Sequence, residues 1–337
     1  MNARAFPLLL VASIVIGPAS TIFAQSVPAP VLTASQPAPF RLQAVPGWGA
    51  VPEGMMLGPT HGGVAVDKAG NVYFSTDSSA GIFVFGADGR FIRSMGAEFA
   101  GTLALAIAEQ DGVEYLYGAH FRGARVLKAR LNGGRPATLP FPKEAGIYGP
   151  QGEGYKPSAV AVAPDGSIFV ADGFGTDYIH KYDPAGTYLG SFGGKGAEEG
   201  KLMHCQGLAI DARFGEPLLL ACDTDNRRLQ YFSLGGEFVQ IAANDLRRPV
   251  AAACFGTCVA VAELDGRVTI LDQNNAVAMR LGDNPNQTHW SNFRLAAADF
   301  QDGIFAAPHG LGWDRAGNLY LQEWNLTGRV VKMRRLP

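Results

Sequence analysis

Short apolar segments recur along the chain, and each is separated from the next by a turn rich in glycine and aspartate. In HGGVAVDKAGNVYFSTD, at residues 61–77, two alternating apolar runs flank the turn DKAGN. Alternation with a period of two residues is typical of strands that bury one face. The 3.6-residue spacing of an amphipathic helix is nowhere sustained. The pattern therefore predicts an all-β protein built from hairpins.

This pattern occurs six times, in copies that begin near residues 61, 103, 156, 205, 249 and 308. Spacings of about 42–59 residues are within or near the range of β-propeller repeats. Each copy supplies four antiparallel strands, and a radial arrangement covers both apolar faces of every sheet. We predict a six-bladed β-propeller of four-stranded antiparallel blades over residues 40–337. The alternating segment 40–45 is expected to add the outer strand of the last blade.

The N-terminal residues have a different character. Residues 1–24 contain one charged residue, Arg4, then an apolar run and small residues before Ala24, which is the pattern of a secretory signal peptide. A membrane anchor is the alternative, but Pro7 and the Gly17-Pro18 pair interrupt the run. Residues 25–39 have the composition of a Pro/Ala-rich linker. We therefore expect a secreted or periplasmic protein with no membrane span after signal cleavage.

The composition restricts the class of partner. Of 337 residues 47% are hydrophobic and 17% are charged, and the formal net charge is −2. Without a basic stripe, a nucleic-acid partner is disfavoured. We expect a monomer that binds a small molecule or a peptide.

The four cysteines take their interpretation from the predicted export. Cys254 and Cys258 flank a predicted hairpin loop, and Cys205 and Cys222 bracket two apolar runs expected to pair antiparallel. In an oxidising compartment these positions predict two disulfides, one within each pair. Without a CxxC motif, the cysteines do not indicate a zinc site.

Candidate functional residues gather where propeller geometry brings the blades together. The start of each innermost strand and the loop between the second and third strands open on the same face of the ring. The strand starts supply His61, Gln206 and His309, and we expect the two histidines to occupy equivalent positions of their repeats. The loops supply further polar residues: Asp77, His120, Asp172, Asp223, Glu263 and Glu323. By contrast, His180 lies in an alternating outer strand, where we expect a structural role.

The repeats resemble NHL repeats over residues 60–335. Within that superfamily the sequence is similar to the peptidyl-α-hydroxyglycine α-amidating lyase family and, more closely, to a set of uncharacterised secreted bacterial propellers. The similarity rests on PTHGG at 59–63, KPSAVAV at 156–162, ADGF at 171–174 and APHGL at 307–311. It implies a lyase that binds zinc through three histidines at strand starts, with a tyrosine and an arginine from the loops and a calcium ion nearby.

Position by position, the resemblance is incomplete. His61 and His309 match the first and third zinc ligands. Gln206 stands at the middle position, although His204 lies two residues earlier and on the same side of the strand. The tyrosine, the arginine and the calcium-binding aspartate are replaced by Phe174, Thr224 and Gly310. Since phenylalanine cannot accept a proton, the base must be another residue.

Two main functions fit these observations. The first is a metal-assisted lyase or hydrolase acting on a small hydroxylated or amide-bearing molecule. A divalent metal, zinc or alternatively calcium, would be held by His61, by His309 and by a third ligand. That third ligand is Gln206 or His204, and the base is His120, Asp172 or Asp223. The second function is a non-catalytic propeller that binds a peptide, a glycan or a protein partner. A purely structural platform is a third function that the fold allows.

Overall fold

Six four-stranded antiparallel sheets form the fold of residues 40–336, which are the residues that this computed structural model describes. Blade 1 consists of β2 Val64–Val66, β3 Val72–Ser75, β4 Ile82–Phe85 and β5 Phe91–Ser94. Blade 2 consists of β6 Ala104–Gln110, β7 Val113–His120, β8 Arg125–Arg130 and β9 Ala137–Leu139. Blade 3 consists of β10 Ala159–Val162, β11 Ile168–Ala171, β12 Tyr178–Tyr182 and β13 Tyr188–Gly193. The predicted signal peptide (1–24) and linker (25–39) lie outside the described residues.

Blades 4 and 5 follow the same order along the chain, and blade 6 combines both ends of it. Blade 4 consists of β14 Cys205–Asp211, β15 Leu218–Asp223, β16 Arg228–Ser233 and β17 Phe238–Ala243. Blade 5 consists of β18 Pro249–Phe255, β19 Cys258–Glu263, β20 Arg267–Leu271 and β21 Val277–Leu281. Blade 6 consists of β22 Pro308–Trp313, β23 Leu319–Glu323, β24 Arg329–Leu336 and β1 Arg41–Ala44. Short 3₁₀ turns cover Ala97–Phe99, Lys143–Ala145, Gln287–His289 and Ala297–Asp299. Over residues 40–336, no helix has the length and apolar character needed to span a bilayer.

The blades form a closed ring. Each innermost strand contacts the innermost strand of the next blade, and β22 of the last blade contacts β2 of the first. β1 pairs antiparallel with β24, with Arg41 opposite Leu336 and Ala44 opposite Met333. The predicted six-bladed propeller is confirmed, including the contribution of the 40–45 segment to the outer edge of blade 6.

Alternation along the strands places apolar side chains on both faces of a blade. In β3, Phe74 packs in one cluster with Trp48 and with Tyr320 of blade 6, whereas Tyr73 packs in another with Leu116 of blade 2. Each such buried side chain contributes about 1.5–3 kcal/mol relative to an exposed one. Packing between blades therefore stabilises the ring, as the two apolar faces of each repeat predict.

The recurring Asp-Gly turns owe their shape to a side chain that binds the turn backbone. Asp67 accepts a hydrogen bond from the Asn71 N–H at 2.8 Å and another from the Tyr73 hydroxyl, and Asp314 makes the same pattern of bonds in blade 6. Aspartate at the start of a tight turn satisfies backbone groups that the hairpin leaves unpaired. This explains why the turn residues repeat with the strands.

The four cysteines are free thiols, so the two predicted disulfides are not formed. Cys258 lies directly opposite Phe255, one residue beyond Cys254, so the two sulfurs of this pair project from opposite faces of the blade. Likewise Cys222 pairs with Gly207, and Cys205 and Cys222 belong to different core clusters. The predicted register was wrong: the two cysteines of each pair lie on either side of a hairpin, but their side chains are on opposite faces of the blade.

His180 forms part of a buried polar network in blade 3. It is fully buried, with Nε2 2.6 Å from the Tyr148 hydroxyl and Nδ1 2.7 Å from the Ser191 hydroxyl. The Tyr148 hydroxyl also lies 2.7 Å from Asp172. Burial lowers the pKa of His180 to about 3, so the imidazole is neutral in the folded protein. These contacts agree with the predicted structural role.

The backbone of blade 1 passes very close to Gly310 in the inner strand of blade 6. A Cβ atom at this position would lie 1.4 Å from the carbonyl oxygen of Gly62. We expect Gly310→Ala to lower the free energy of unfolding by about 3 kcal/mol or more, because the backbones of blades 6 and 1 must separate. Gly190→Ala is the matched control, since a Cβ there meets nothing within 4 Å. Urea unfolding of both variants tests this, and equal stabilities would contradict it.

The stability of the protein is expected to fall in acid because of His180. Its pKa is about 3 when folded and 6.5 as a free side chain, so between these values only the unfolded chain binds the proton. From about pH 7 to about pH 5 this residue should lower the free energy of unfolding by about 2 kcal/mol. Unfolding of His180→Gln at both pH values should show a correspondingly smaller loss. His289→Gln, which changes a histidine outside the network, should keep the full loss.

Candidate functional site

A cavity of about 440 Å³ opens at one end of the ring, above the innermost strands. Its polar lining residues are His61, His204, Gln206, Arg248, Ser291 and His309, and its apolar lining residues are Leu103, Phe121, Phe174, Leu264 and Trp324. The structure thus brings together the four side chains predicted as metal ligands. Below them, Gln206 and His309 also line a narrower axial channel of about 50 Å³.

Loops and inner strands are held in place around this cavity by buried acids at the ends of the second strands. Asp223 accepts the Met203 N–H at 2.7 Å, and Glu323 accepts those of Ala306 and Ala307 at 2.9 and 3.0 Å. Each acid also pairs with an arginine of the third strand: Asp223 with Arg228, Glu263 with Arg267 and Glu323 with Arg329. The segments that enter the inner strands are therefore fixed by the core.

His61 belongs to a charged hydrogen-bonded group at the edge of the cavity. Its Nε2 lies 2.8 Å from Oδ2 of Asp77, and the same oxygen accepts a hydrogen bond from Arg122 at 3.1 Å. Burial alone would raise the pKa of Asp77, but His61 and Arg122 hold it below its usual value. An ionised carboxylate accepts only, so Nε2 of His61 carries the proton. In the neutral imidazole, Nδ1 is then the nitrogen with the lone pair.

His309 is a second, neutral imidazole in the same cavity. Burial, followed by the proximity of His61, lowers its pKa to about 3. It stands in a β-bulge of β22, where the pairing shifts between Pro308 and Gly310. The ring lies over Gly62, where a Cβ would come within 2.5 Å of its Nδ1.

The prediction that His61 and His309 occupy equivalent positions of their repeats is wrong by one residue. In blade 6, Gly310 pairs with Gln322. In blade 1, the carbonyl of Gly63 accepts the N–H of Ser75, so Gly63 corresponds to Gly310 and Ser75 to Gln322. His309 therefore corresponds to Gly62, and His61 corresponds to Pro308, the residue before His309. In blade 4 the bulged residue is Gln206, so Gln206 and His309 are the equivalent pair. The spacing in the sequence has the same offset: His61 lies six residues before the turn aspartate of its repeat, whereas Gln206 and His309 lie five residues before theirs.

Three other lining residues have left-handed backbone conformations, with φ of 60° at His204, 55° at Arg248 and 51° at Ser291. Such a conformation costs about 1–2 kcal/mol for a residue with a Cβ. Nδ1 of His204 lies 3.3 Å from Asp225, and the His204 N–H donates to Asp177 at 2.6 Å. The Ser291 hydroxyl donates to Asp265 at 2.5 Å. At this edge of the cavity, residues with a strained backbone are thus also held in place by nearby aspartates.

The side chains predicted as bases do not line the cavity. His120 accepts the Gly123 N–H at its Nδ1, and burial, followed by the charge of Arg125, lowers its pKa. Asp172 and Asp223 are completely buried. Asp172 accepts bonds from Thr176 and Tyr148, and burial raises its pKa. The contacts of both aspartates are structural.

The predicted metal centre can be compared with the donors present. Within residues 40–336, no three histidine, cysteine, aspartate or glutamate side chains are positioned to share one ion. Gln206 supplies only an amide at the middle position, and amide oxygen is a poorer zinc ligand than imidazole. Gly310 has no side chain for calcium, and a Cβ there would overlap Gly62. The residues therefore do not fit the zinc and calcium sites that the resemblance implies.

Some site residues escaped the sequence reasoning. Arg122, Phe121 and Arg248 were not singled out, although each lies at or beside the cavity. Arg248 directly precedes the inner strand of blade 5, as His204 precedes that of blade 4. Aligning the repeats on their strand starts would have indicated it.

Comparisons with known proteins support the architecture. No protein-family model matches the chain, and no curated protein sequence matches it. Several solved structures have the same fold. One is a streptogramin B lyase, with a TM-score of 0.58 and 14% identity over 82% of this chain and 95% of that one.

Two more structures come from named bacteria. A catalytically inactive histidine-to-alanine variant of virginiamycin B lyase from Staphylococcus aureus, with quinupristin, has a TM-score of 0.57 and 15% identity over 87% of this chain and 99% of that one. A gluconolactonase from Xanthomonas campestris has a TM-score of 0.59 and 14% identity over 91% and 99%. At these identities the likeness shows the propeller fold alone.

The structural role of the buried acids predicts a large effect of Asp223→Asn. The change leaves the buried guanidinium of Arg228 without its counter-charge, so we expect the free energy of unfolding to fall by about 3 kcal/mol. Asp225→Asn, two residues away on a partly exposed carboxylate, should cost less than about 1 kcal/mol. Chemical unfolding of both variants tests this. Similar losses in the two would argue against the anchoring role of Asp223.

Proposed function

We propose that this propeller is a lyase that acts on a small hydroxylated or amide-bearing molecule bound in the cavity. In this proposal His61 is the general base and Asp77 orients it. One observation carries the proposal: a carboxylate-bound imidazole and a second, neutral imidazole line one largely apolar cavity. Paired titratable groups with different environments are typical of acid–base sites.

The base function follows from the hydrogen bonds of His61. Nε2–H donates to Asp77, which fixes the tautomer and stabilises the imidazolium that forms when Nδ1 takes a proton. Arg122 binds the same carboxylate oxygen and keeps it ionised. On an α-hydroxyamide, Nδ1 would remove the hydroxyl proton. A carbonyl then forms as the C–N bond breaks, and the departing nitrogen takes up the proton that Nδ1 removed, which returns His61 to its neutral form.

His309 and Gln206 are suited to positioning the substrate. A neutral imidazole has one donor and one acceptor, and an amide side chain has both, so each can bind a hydroxyl or a carbonyl group. Both residues are almost completely buried, which strengthens such bonds. Phe121, Phe174 and Trp324 provide apolar walls for the rest of the molecule. The volume of about 440 Å³ suits a small ligand.

The choice of a lyase has support of a coarser kind. The sequence resembles the amidating lyases, and propeller lyases are among the structures with the same fold, one of which is inactive after a histidine is replaced. The fold is shared with gluconolactonases, so a hydrolase is the nearest alternative. Phe174 cannot act as the family's tyrosine, and the Thr224 hydroxyl donates to the Pro249 carbonyl. The base is therefore assigned to His61, acting without a metal. We also propose export, from the N-terminal signal pattern.

Turnover of N-benzoyl-α-hydroxyglycine to benzamide and glyoxylate tests this function. We expect His61→Gln to lower kcat/KM by about 100-fold or more, since a positioned base contributes at least this much. Asp77→Asn should lower kcat, because the amide no longer fixes the tautomer of His61. His289→Gln, away from the cavity, is the control. Treatment with a chelator should leave the rate unchanged.

Three results would contradict the proposal. Turnover of an aryl ester but not of the hydroxyglycine would indicate a hydrolase. Binding of the probes without turnover of either would favour the non-catalytic propeller. Stoichiometric zinc in the purified protein, lost in the His61→Ala and His309→Ala double variant, would restore the metal-assisted mechanism.

A further inference from the structure

Arg248 differs from the other arginines that lie inside the ring of loops. Arg228, Arg267 and Arg329 each hydrogen-bond to a buried acid at 2.7–2.8 Å. The side chain of Arg248 lines the cavity and is 35% exposed, and the nearest carboxylate oxygens within residues 40–336 lie 3.8 and 3.9 Å from its nitrogens, beyond hydrogen-bond distance. An arginine with free donors in a largely apolar cavity is well suited to bind an anion.

Two aspartates form long ion pairs with Arg248 without hydrogen-bonding to its guanidinium. Asp225 lies 3.8 Å and Asp265 lies 3.9 Å from the guanidinium nitrogens, beyond hydrogen-bond distance. Each has a closer partner: Asp225 is 3.3 Å from His204, and Asp265 accepts from the Ser291 hydroxyl at 2.5 Å. The aspartates reduce the local positive potential, but they also hold the guanidinium at the rim. The planar donor fork remains available to a ligand.

The backbone supports the same conclusion. Arg248 has a φ of 55°, a conformation that few residues with a Cβ adopt. The N–H of the preceding residue, Arg247, is bound by the buried carboxylate of Glu263, and the carbonyl of Arg248 accepts the N–H of Leu264. A strained residue fixed on both sides and facing a cavity points to function. Its charge also contributes to keeping His309 neutral, after burial and His61.

We propose that Arg248 forms an anion subsite in the cavity that binds a carboxylate group of the ligand. The carboxylate would bind the guanidinium while the apolar part of the molecule packs against Phe121, Phe174 and Trp324. This inference rests on the proposed function for the identity of the ligand as a substrate. The subsite itself requires only binding.

Phenylacetate and phenylacetamide form a matched pair of probes, since they differ only in the charged group. By calorimetric titration the wild-type protein should bind phenylacetate about tenfold more tightly than the amide, and salt should reduce the difference. Arg248→Met should abolish the preference and leave binding of the amide within about twofold. Arg248→Lys should keep part of it, because a point charge replaces the bidentate fork.

Arg247→Met is the control variant, since Arg247 pairs with Asp283 and lies over the Trp290 ring. It should keep the preference for phenylacetate. Equal binding of the two probes by the wild-type protein, or a preference that survives in Arg248→Met, would overturn the subsite. His61→Gln should lose turnover and keep the preference, so failure of the subsite and failure of the proposed reaction give different results.

Discussion

The position of several cavity residues depends on a buried carboxylate that joins the second strand of a blade to the segment before its inner strand. In blades 4 to 6 this carboxylate accepts backbone N–H groups of Met203, Arg247, Ala306 and Ala307. His204 and Arg248 directly follow two of these anchored residues, and His309 lies two residues beyond the last. These cavity side chains are therefore held in fixed positions by backbone segments that are bound to the core. Such support is what a preorganised site requires.

In blade 1 the acid stands one residue later in the chain, so its carboxylate does not bind the backbone of the segment before the inner strand. By strand register, Thr76 stands where blades 3 to 6 have the buried carboxylate, and Asp77 follows it. The residues that correspond to Asp77 in blades 5 and 6 are Leu264 and Trp324, which line the cavity. Asp77 thus comes to lie beside His61 instead of in the core. Its charge is stabilised by His61 and Arg122 in place of backbone groups.

The sequence pattern was sufficient for the architecture but not for the register. Repeated hairpins and Asp-Gly turns predict six blades, because each repeat has two apolar faces that only neighbours can cover. Alternation does not reveal a β-bulge, and a slip of one residue moves a side chain to the other face. This is why Cys254 and Cys258 do not meet. The equivalence of His309 with Gln206 could have been predicted, since each lies five residues before the turn aspartate of its repeat. The position of Arg248 at a strand start could also have been predicted, but its distances to aspartates of other loops could not.

The cavity places different chemistry on its two sides, so it can hold a ligand in one orientation. His61, Asp77 and Arg122 come from blades 1 and 2, whereas Arg248 precedes the inner strand of blade 5. Between them stand His309 and Gln206 at the top of the axial channel. A ligand held by its charge on one side and by its apolar part against the aromatic walls would present its remaining polar group to the imidazoles. Changes at these few positions around the cavity would alter what the site binds and leave the fold intact, because the anchored segments beneath them serve the fold itself.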